Sequence, residues 1–341
     1  MRVATYYSNK DLRIETMQSP DIGKQDILMK VMASGICGSD VMEWYRIHKV
    51  PLVLGHEVAG LVEKVGALVT GFKVGDRIMA THHVPCNTCE YCLWGHHTVC
   101  ETLRKTHFEP GGFAEYLRLS PIHVQQGILK IPKNVSYDEA TFVEPLGCVV
   151  RGQRLAEMSK GRRVLIVGSG LSGLLHIKLA AYRGAQSIIA TDVDPYRLAK
   201  AKAFGATEAL HASENIPVAV KRINGGKLAD LVILCSPIQA AFHQGLSSLE
   251  RGGDVLIFTA AEKDAALPLS TNDIFWRSEA TIRSSYAASP RDLKEALSLI
   301  AKGGVEVEDM ITHRLPLEDI QQGFDLVCQP KSSLKVIIRP H

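Results

Sequence analysis

Five residues, Arg163-Val164-Leu165-Ile166-Val167, run straight into Gly168-Ser169-Gly170-Leu171-Ser172-Gly173. An apolar strand, a glycine turn and a helix in immediate succession open a dinucleotide-binding βαβ unit. A GxGxxG pattern alone is a weak sign, and its place between strand and helix is what gives it meaning. Gly168 makes the tight turn, Gly170 lets the backbone approach a pyrophosphate, and Gly173 lets the helix lie close to the sheet. Leu171 and Ser172 begin that helix, whose N-terminal N–H groups and dipole favour a phosphate. The rhythm then continues with a helix over Leu171–Tyr182, a strand over Ser187–Thr191 and a helix from Pro195 to Phe204. Further strands are predicted at Glu208–Leu210, Leu231–Cys235, Val255–Thr259 and Thr281–Ser284, with helices between them. Six strands in such alternation predict a doubly wound parallel sheet of order 3-2-1-4-5-6.

Such a unit needs an acidic residue at the end of its second strand, roughly 20 residues beyond the glycines. Asp192 stands there, closing Ile188-Ile189-Ala190-Thr191-Asp192. Its carboxylate would accept hydrogen bonds from the adenosine ribose and repel a 2′-phosphate, favouring NAD over NADP. Arg197 is near enough in sequence to touch the adenine end or to tolerate a phosphate.

The α/β unit accounts for less than half of the 341 residues. At ~150 residues per domain the length fits two domains. The first 150 residues contain β-rich runs at Val3–Tyr7, Leu12–Thr16, Ile27–Ala33, Val58–Val65 and Arg77–Ala80, with turn signals between them. Short strands joined by Gly-rich turns suggest a partly closed barrel. The tail reads as a helix from Pro290 to Lys302, a loop, a helix near Leu317–Val327 and a strand over Ser333–Ile338. With 39 basic and 36 acidic residues the formal charge is only +3, too balanced for a nucleic-acid stripe or a polybasic membrane patch. No apolar run approaches the ~20 residues of a membrane span, and MRVATYYSNKDLRIE lacks the apolar stretch of a secretion signal. The expectation is a soluble, cytoplasmic protein without nucleic-acid or membrane partners.

Eight cysteines sharpen this reading. Cys86, Cys89, Cys92 and Cys100 bunch within fifteen residues, at a spacing suited to wrapping a loop round one tetrahedral Zn²⁺. Such a closed four-thiolate site leaves no open position, so its task is to hold the loop. A second candidate is looser. Ser34-Gly35-Ile36-Cys37-Gly38-Ser39-Asp40 and Gly55-His56-Glu57 offer a thiolate, an imidazole and a carboxylate. Together Cys37, His56 and Glu57 could hold a zinc with a position left for water or substrate.

These motifs occur in an order that resembles the zinc-containing medium-chain dehydrogenase/reductase superfamily, nearest its sorbitol and L-threonine dehydrogenase branches. The likeness covers essentially the whole chain. It runs through Ser34–Asp40, Gly55–Gly60, Gly71–Asp76, Cys86–Cys100, Gly111–Tyr116, Glu144-Pro145-Leu146-Gly147, and Gly168–Gly173 with Asp192. The resemblance implies a GroES-like β-rich catalytic domain over residues 1–150, a Rossmann NAD-binding domain over 151–285, and a segment over 286–341 returning to the first. It implies two zinc ions per subunit, one catalytic and one structural, with NAD as cofactor, and homodimers or homotetramers. Cys37 and His56 match the catalytic zinc ligands. Glu57 matches a carboxylate that ligates in the polyol branch and lies just behind the metal in others, and Glu144 one that binds the zinc directly or holds its water.

The implied reaction is reversible hydride transfer between a secondary alcohol or polyol and NAD, with Ser39 relaying the alcohol proton. The alternatives are L-threonine 3-dehydrogenase-like activity and a catalytically silent cofactor-binding homologue. Relatives often carry a relay His three residues after Ser39, where this chain has Met42. Either Ser39 passes the proton through the cofactor ribose to water, or His48 or Glu43 substitutes. Trp44 and Tyr45 are candidate pocket aromatics, and His107 and Glu109 candidate polar pocket residues. The stretch Ser284–Ser289, where sorbitol dehydrogenase carries a substrate-gripping arginine, has none.

Overall fold

A computed structural model describes residues 1–341 apart from 263, 264, 267, 268 and 330. The chain divides into two compact units, Met1–Gly147 with Ala287–His341, and Cys148–Tyr286.

In the first unit a seven-stranded sheet runs in the order Ile311–Pro316, Lys335–Arg339, Ile27–Gly35, Glu57–Val65, Arg77–Thr81, Ile128–Lys130, and Tyr116–Leu119 also pairs with Ile27–Gly35. Asp11–Thr16, Arg2–Ser8 and Leu52–Val53 make a separate three-stranded sheet. Alternation drives the packing: Ile27, Met29 and Val31 on one strand meet Val58, Val62, Ile78, Leu117 and Leu119 in a common core. Register then decides where chemistry can occur. Gly35 lies opposite both Glu57 and Ile337, and Glu57 lies opposite Thr81. The chain segments bearing Cys37, His56, His82 and Lys335 are therefore gathered at one end of adjacent strands.

The tail departs from its sequence reading. The expected loop before residue 317 contains the strand Ile311–Pro316, parallel to Lys335–Arg339. Thr312, His313 and Arg314 hide it in the sequence, because its pairing rests on main-chain bonds rather than on an apolar face. Strands are also found at Leu52–Val53 and Ile128–Lys130, each too short to show a period of two, and at Tyr116–Leu119, where Leu117 and Leu119 alternate inward over only four residues. Helix Pro290–Ala301 begins as its sequence suggests, with Ser289 and Asp292 forming a capping box and Pro290 in the first turn.

Asp138 pins this tail. It is 5% exposed, and its Oδ2 accepts from Arg314 Nε at 2.7 Å while Arg339 closes on the same carboxylate. Hydrogen bonds to charged groups are worth about 1.5–3 kcal/mol each. Asp138→Ala is accordingly expected to cost about 2–4 kcal/mol, read by urea unfolding; a change under 0.5 kcal/mol would show that the arginines find water or other acids at no loss.

The second unit is a six-stranded, all-parallel sheet in the order Glu208–His211, Ser187–Asp192, Arg163–Val167, Ala229–Leu234, Leu249–Ile257, Thr281–Ser284. This is the 3-2-1-4-5-6 order expected from the sequence. Leu165, Val167, Ile189, Val232, Leu234 and Val255 form a core with Phe242 and Val220 from the covering helices. Helix Pro195–Ala203 starts where Asp194 accepts hydrogen bonds from Tyr196 and Arg197 N–H groups. The fifth strand starts earlier than its apolar run, because Arg251-Gly252-Gly253 is carried in the strand across a register shift opposite Ala229/Leu231. Among the described residues no helix is long and apolar enough to cross a membrane.

Candidate metal and cofactor sites

Cys37 follows the strand Ile27–Gly35 and begins a tight turn in which Asp40 N donates to Cys37 O at 3.0 Å. Asp40 is fully buried and returns the contact, its Oδ2 accepting from Cys37 N at 3.0 Å. Its Oδ1 faces His56 Nδ1 at 3.3 Å. That leaves Nε2 as the ring nitrogen available to a ligand. The ligand atoms of Cys37, His56 and Glu57 all lie within 4.8 Å of one another. Ser39 donates both its N–H and its hydroxyl to Cys37 Sγ, each at 3.4 Å.

Glu57 and Lys335 form an ion pair, both side chains fully buried. Lys335 Nζ also donates to Ile36 O at 3.3 Å and lies 5.5 Å from the centroid of the Phe142 ring. Gly35 makes the pair possible. A Cβ there would stand 2.2 Å from Glu57 Oε2 and 2.8 Å from Lys335 Nζ. The pair engages Oε2 and leaves Glu57 Oε1 buried without a hydrogen-bond partner. An orphaned carboxylate oxygen beside a thiol and an imidazole is what a cation would satisfy, so the residues fit a zinc ion.

Asp40 and Cys37 make the surroundings of His56 favourable to positive charge. Burial opposes a charge on His56, yet Asp40 and Cys37 outweigh it and hold the imidazole well above the ordinary histidine range. His82 and His83, on the next strand end, are held down by burial and by neighbouring positive groups, His83 to about 3. The His56 and His82 rings stand 4.8 Å apart, and those of His82 and His83 3.7 Å apart.

Glu144 is buried in the first turn of helix Val143–Leu155 and is outside the group of three. Met42 precedes the short helix Glu43–Arg46, in which Trp44 and Tyr45 are exposed. Of the candidate relay groups, His48 is exposed and Glu43 accepts from the Asn9 N–H at 2.9 Å. Glu109 is taken up by Arg118, and His107 is exposed.

The four-cysteine loop also fits a metal. Cys86, Cys89, Cys92 and Cys100 have ligand atoms within 4.8 Å of one another. The Sγ pairs Cys89–Cys92 and Cys86–Cys100 are each 3.6 Å apart, near the ~3.8 Å edge of a tetrahedron of Zn–S bonds. Backbone N–H groups of Cys86 and Cys89 already point at Cys100 and Cys86 sulfurs. Hydrogen bonds from Thr88 and from backbone N–H groups pull Cys86 down to about 5, whereas burial pushes Cys92 up to about 12. Four thiolates so placed need a cation to ionise together. All eight cysteines are free thiols.

In the second unit Gly168 takes φ +95° and Gly170 caps helix Leu171–Tyr182 with no side chain over the helix end. A Cβ on Gly173 would lie 1.9 Å from Gly168 O, so only glycine allows this approach. Asp192 ties the turn to the second strand: Oδ2 accepts from Ser169 N at 2.8 Å, and Oδ1 from Val193 N and Asp194 N at 2.8 and 3.0 Å. Arg197 Nη1 stands 3.8 Å from the same carboxylate. Leu171 and Ser172 lie in the first helical turn, with their N–H groups at the end suited to an anion.

Sequence reasoning gave no role to Asp40, Arg46, His82, His83 or Lys335. Asp40 carried a usable signal, being an acid three residues after a candidate thiolate ligand. Lys335 carried almost none, since its partner is 278 residues away.

Residues 23–133 match the alcohol dehydrogenase GroES-like domain, and residues 173–302 match the zinc-binding dehydrogenase domain. The chain is 31% identical to a sorbitol dehydrogenase of Bacillus subtilis (strain 168), covering 100% of this chain and 98% of that protein. It is 34% identical to an L-threonine 3-dehydrogenase of Bacillus velezensis, covering 94% and 93%. A zinc-binding dehydrogenase of Sinorhizobium meliloti 1021, solved with NADP, superposes with a TM-score of 0.88 at 27% identity over 99% of each chain. The chain belongs to the zinc-containing medium-chain dehydrogenase/reductase superfamily, in the branch of the sorbitol and L-threonine dehydrogenases.

Proposed function

We propose that this chain oxidises a secondary alcohol or polyol with NAD, reversibly, through a catalytic zinc held by Cys37, His56 and Glu57. The observation that carries the reading is the convergence of those three donors within 4.8 Å, with Glu57 Oε1 left unpartnered. Bound zinc supplies Lewis-acid polarisation of the alcohol oxygen, and the bound nicotinamide supplies a hydride acceptor. The chain's own groups do the rest. Ser39, whose hydroxyl lies against Cys37 Sγ, would take the alcohol proton and hand it on towards water. Asp40 fixes the His56 ring and its tautomer. Glu144 supplies a further carboxylate, directly or through water. The four-cysteine loop holds a second, structural zinc.

Gly168, Gly170, Leu171, Ser172 and Gly173 receive the pyrophosphate. Asp192 would accept from the ribose hydroxyls of a bound NAD and disfavour the 2′-phosphate of NADP, with Arg197 beside it. Loss of one charged acceptor is worth about 1.5–3 kcal/mol, so Asp192→Ser is expected to lower kcat/KM with NAD roughly 10–100-fold and to narrow the gap to NADP. An unchanged NAD/NADP ratio would remove Asp192 from cofactor selection. The eight free thiols suit the reducing cytoplasm, where the chain would act as a homodimer or homotetramer.

The test of the reading is turnover of zinc-loaded protein against secondary alcohols, polyols and L-threonine, followed as NADH formation. Oxidation of polyols or secondary alcohols supports it. The L-threonine relative favours a second reading, threonine oxidation, and a preference for threonine would select it. No turnover of any substrate with either cofactor would contradict both.

A further inference from the structure

Just beyond the Cys37–Asp40 turn, the helix Glu43–Arg46 and the turn Ile47–Lys49 concentrate positive charge round one phenol. Arg46 Cζ lies 4.9 Å from the centroid of the Tyr45 ring, and Lys49 Nζ 3.8 Å from the same centroid. The Lys49 hydrogen bond holds the Tyr45 hydroxyl below its usual range against partial burial, with the charges of Lys49, Arg46 and Arg104 adding to it.

The cations on these two turns are poorly neutralised. Arg104, which lies on helix Glu101–Lys105 rather than on these turns, has Glu101 at 3.6 Å. Lys49 has no carboxylate at ion-pair distance among the described residues. Arg46 Nε donates to Ser39 O at 3.2 Å, and its nearest acid is Asp40, 3.9 Å away. Asp40 Oδ2 accepts from the Cys37 N–H, and its Oδ1, without a hydrogen-bond partner, lies nearer to His56 Nδ1, at 3.3 Å, than to Arg46. The acid on the same helix, Glu43, is turned to the Asn9 N–H. Most of the Arg46 donors therefore remain available next to Ser39, and its positive field reaches His82 and His83.

We propose that Tyr45, Arg46 and Lys49 form an anion subsite at the edge of the Cys37–His56–Glu57 cluster, so that the preferred substrate is a hydroxylated compound bearing a phosphate or carboxylate group. This rests on the alcohol-oxidising reading above and narrows its substrate class. The Arg46 fork suits the oxygens of either group, Lys49 adds a point charge, and the Tyr45 hydroxyl donates. A neutral polyol leaves these charges uncompensated.

Two measurements on zinc-loaded protein test it. The first compares kcat/KM for sorbitol, sorbitol 6-phosphate and gluconate. At least one charged compound is expected to exceed sorbitol by about tenfold or more, and the better of the two identifies phosphate or carboxylate. Arg46→Gln and Lys49→Gln should each reduce that ratio several-fold, and added NaCl should lower it in the wild type. The second is calorimetric binding of inorganic phosphate to NAD-saturated protein, where the cofactor already covers the glycine turn. Affinity is expected to fall at least about tenfold in the double variant, with NAD affinity and circular dichroism showing that the variant folds. Equal phosphate affinity in wild type and double variant, or a preference for sorbitol that the variants do not alter, would overturn the subsite. If no alcohol is oxidised yet phosphate binding is lost in the double variant, the dehydrogenase reading falls and the subsite stands.

Discussion

Lys335→Met is expected to destabilise the protein by about 3–5 kcal/mol. The methionine keeps the length and packing of the lysine stem but leaves Glu57 charged, fully buried and without its cation. Desolvating a carboxylate without a partner costs several kcal/mol, which is why breaking one side of a buried pair is far worse than replacing both. Lys335→Met combined with Glu57→Gln should recover most of the loss, and the interaction term of that double-mutant cycle measures the pair directly. Zinc adds a second expectation. If the metal takes up the charge of Glu57, the penalty in Lys335→Met should be smaller in zinc-loaded than in zinc-depleted protein. Equal penalties in the two forms would separate Glu57 from the metal, and a penalty below 1 kcal/mol would mean that water reaches the carboxylate.

That pair also shows where sequence reasoning stopped. The nucleotide-binding half was legible because its signals are local: an apolar strand, a glycine turn, a helix, and Asp192 one strand later. The cysteine loop was legible for the same reason, since all four thiols lie within one short segment. Cys37, His56 and Glu57 could be named as a set, but only register brings them together, through Gly35 opposite Glu57. What lies behind them was not visible. Lys335 stands in Lys335-Val336-Ile337-Ile338 as an ordinary charged strand end, and it is buried because its strand pairs with the one that carries Gly35. Strand Ile311–Pro316 has the sequence of a loop because polar side chains mask an element made by main-chain pairing. Arg46 and Lys49 carry no sequence signal for their shared position, since only the fold sets both against Tyr45.

The second large effect is at Cys37. Removing its sulfur takes away one of three converging donors and the acceptor of both Ser39 contacts. Cys37→Ala is expected to abolish alcohol oxidation, with a fall of at least about 10³-fold in kcat, while the fold and NAD affinity persist. The four-cysteine cluster shares no residue with this site, so a metal bound there should remain. The distinction makes the metal count decisive. Elemental analysis of wild type and Cys37→Ala, each purified without chelator, should give about two zinc ions per subunit falling to about one, with loss of NADH formation. One zinc per subunit in both proteins would contradict the account, because the three-donor cluster would then hold no metal in the active protein.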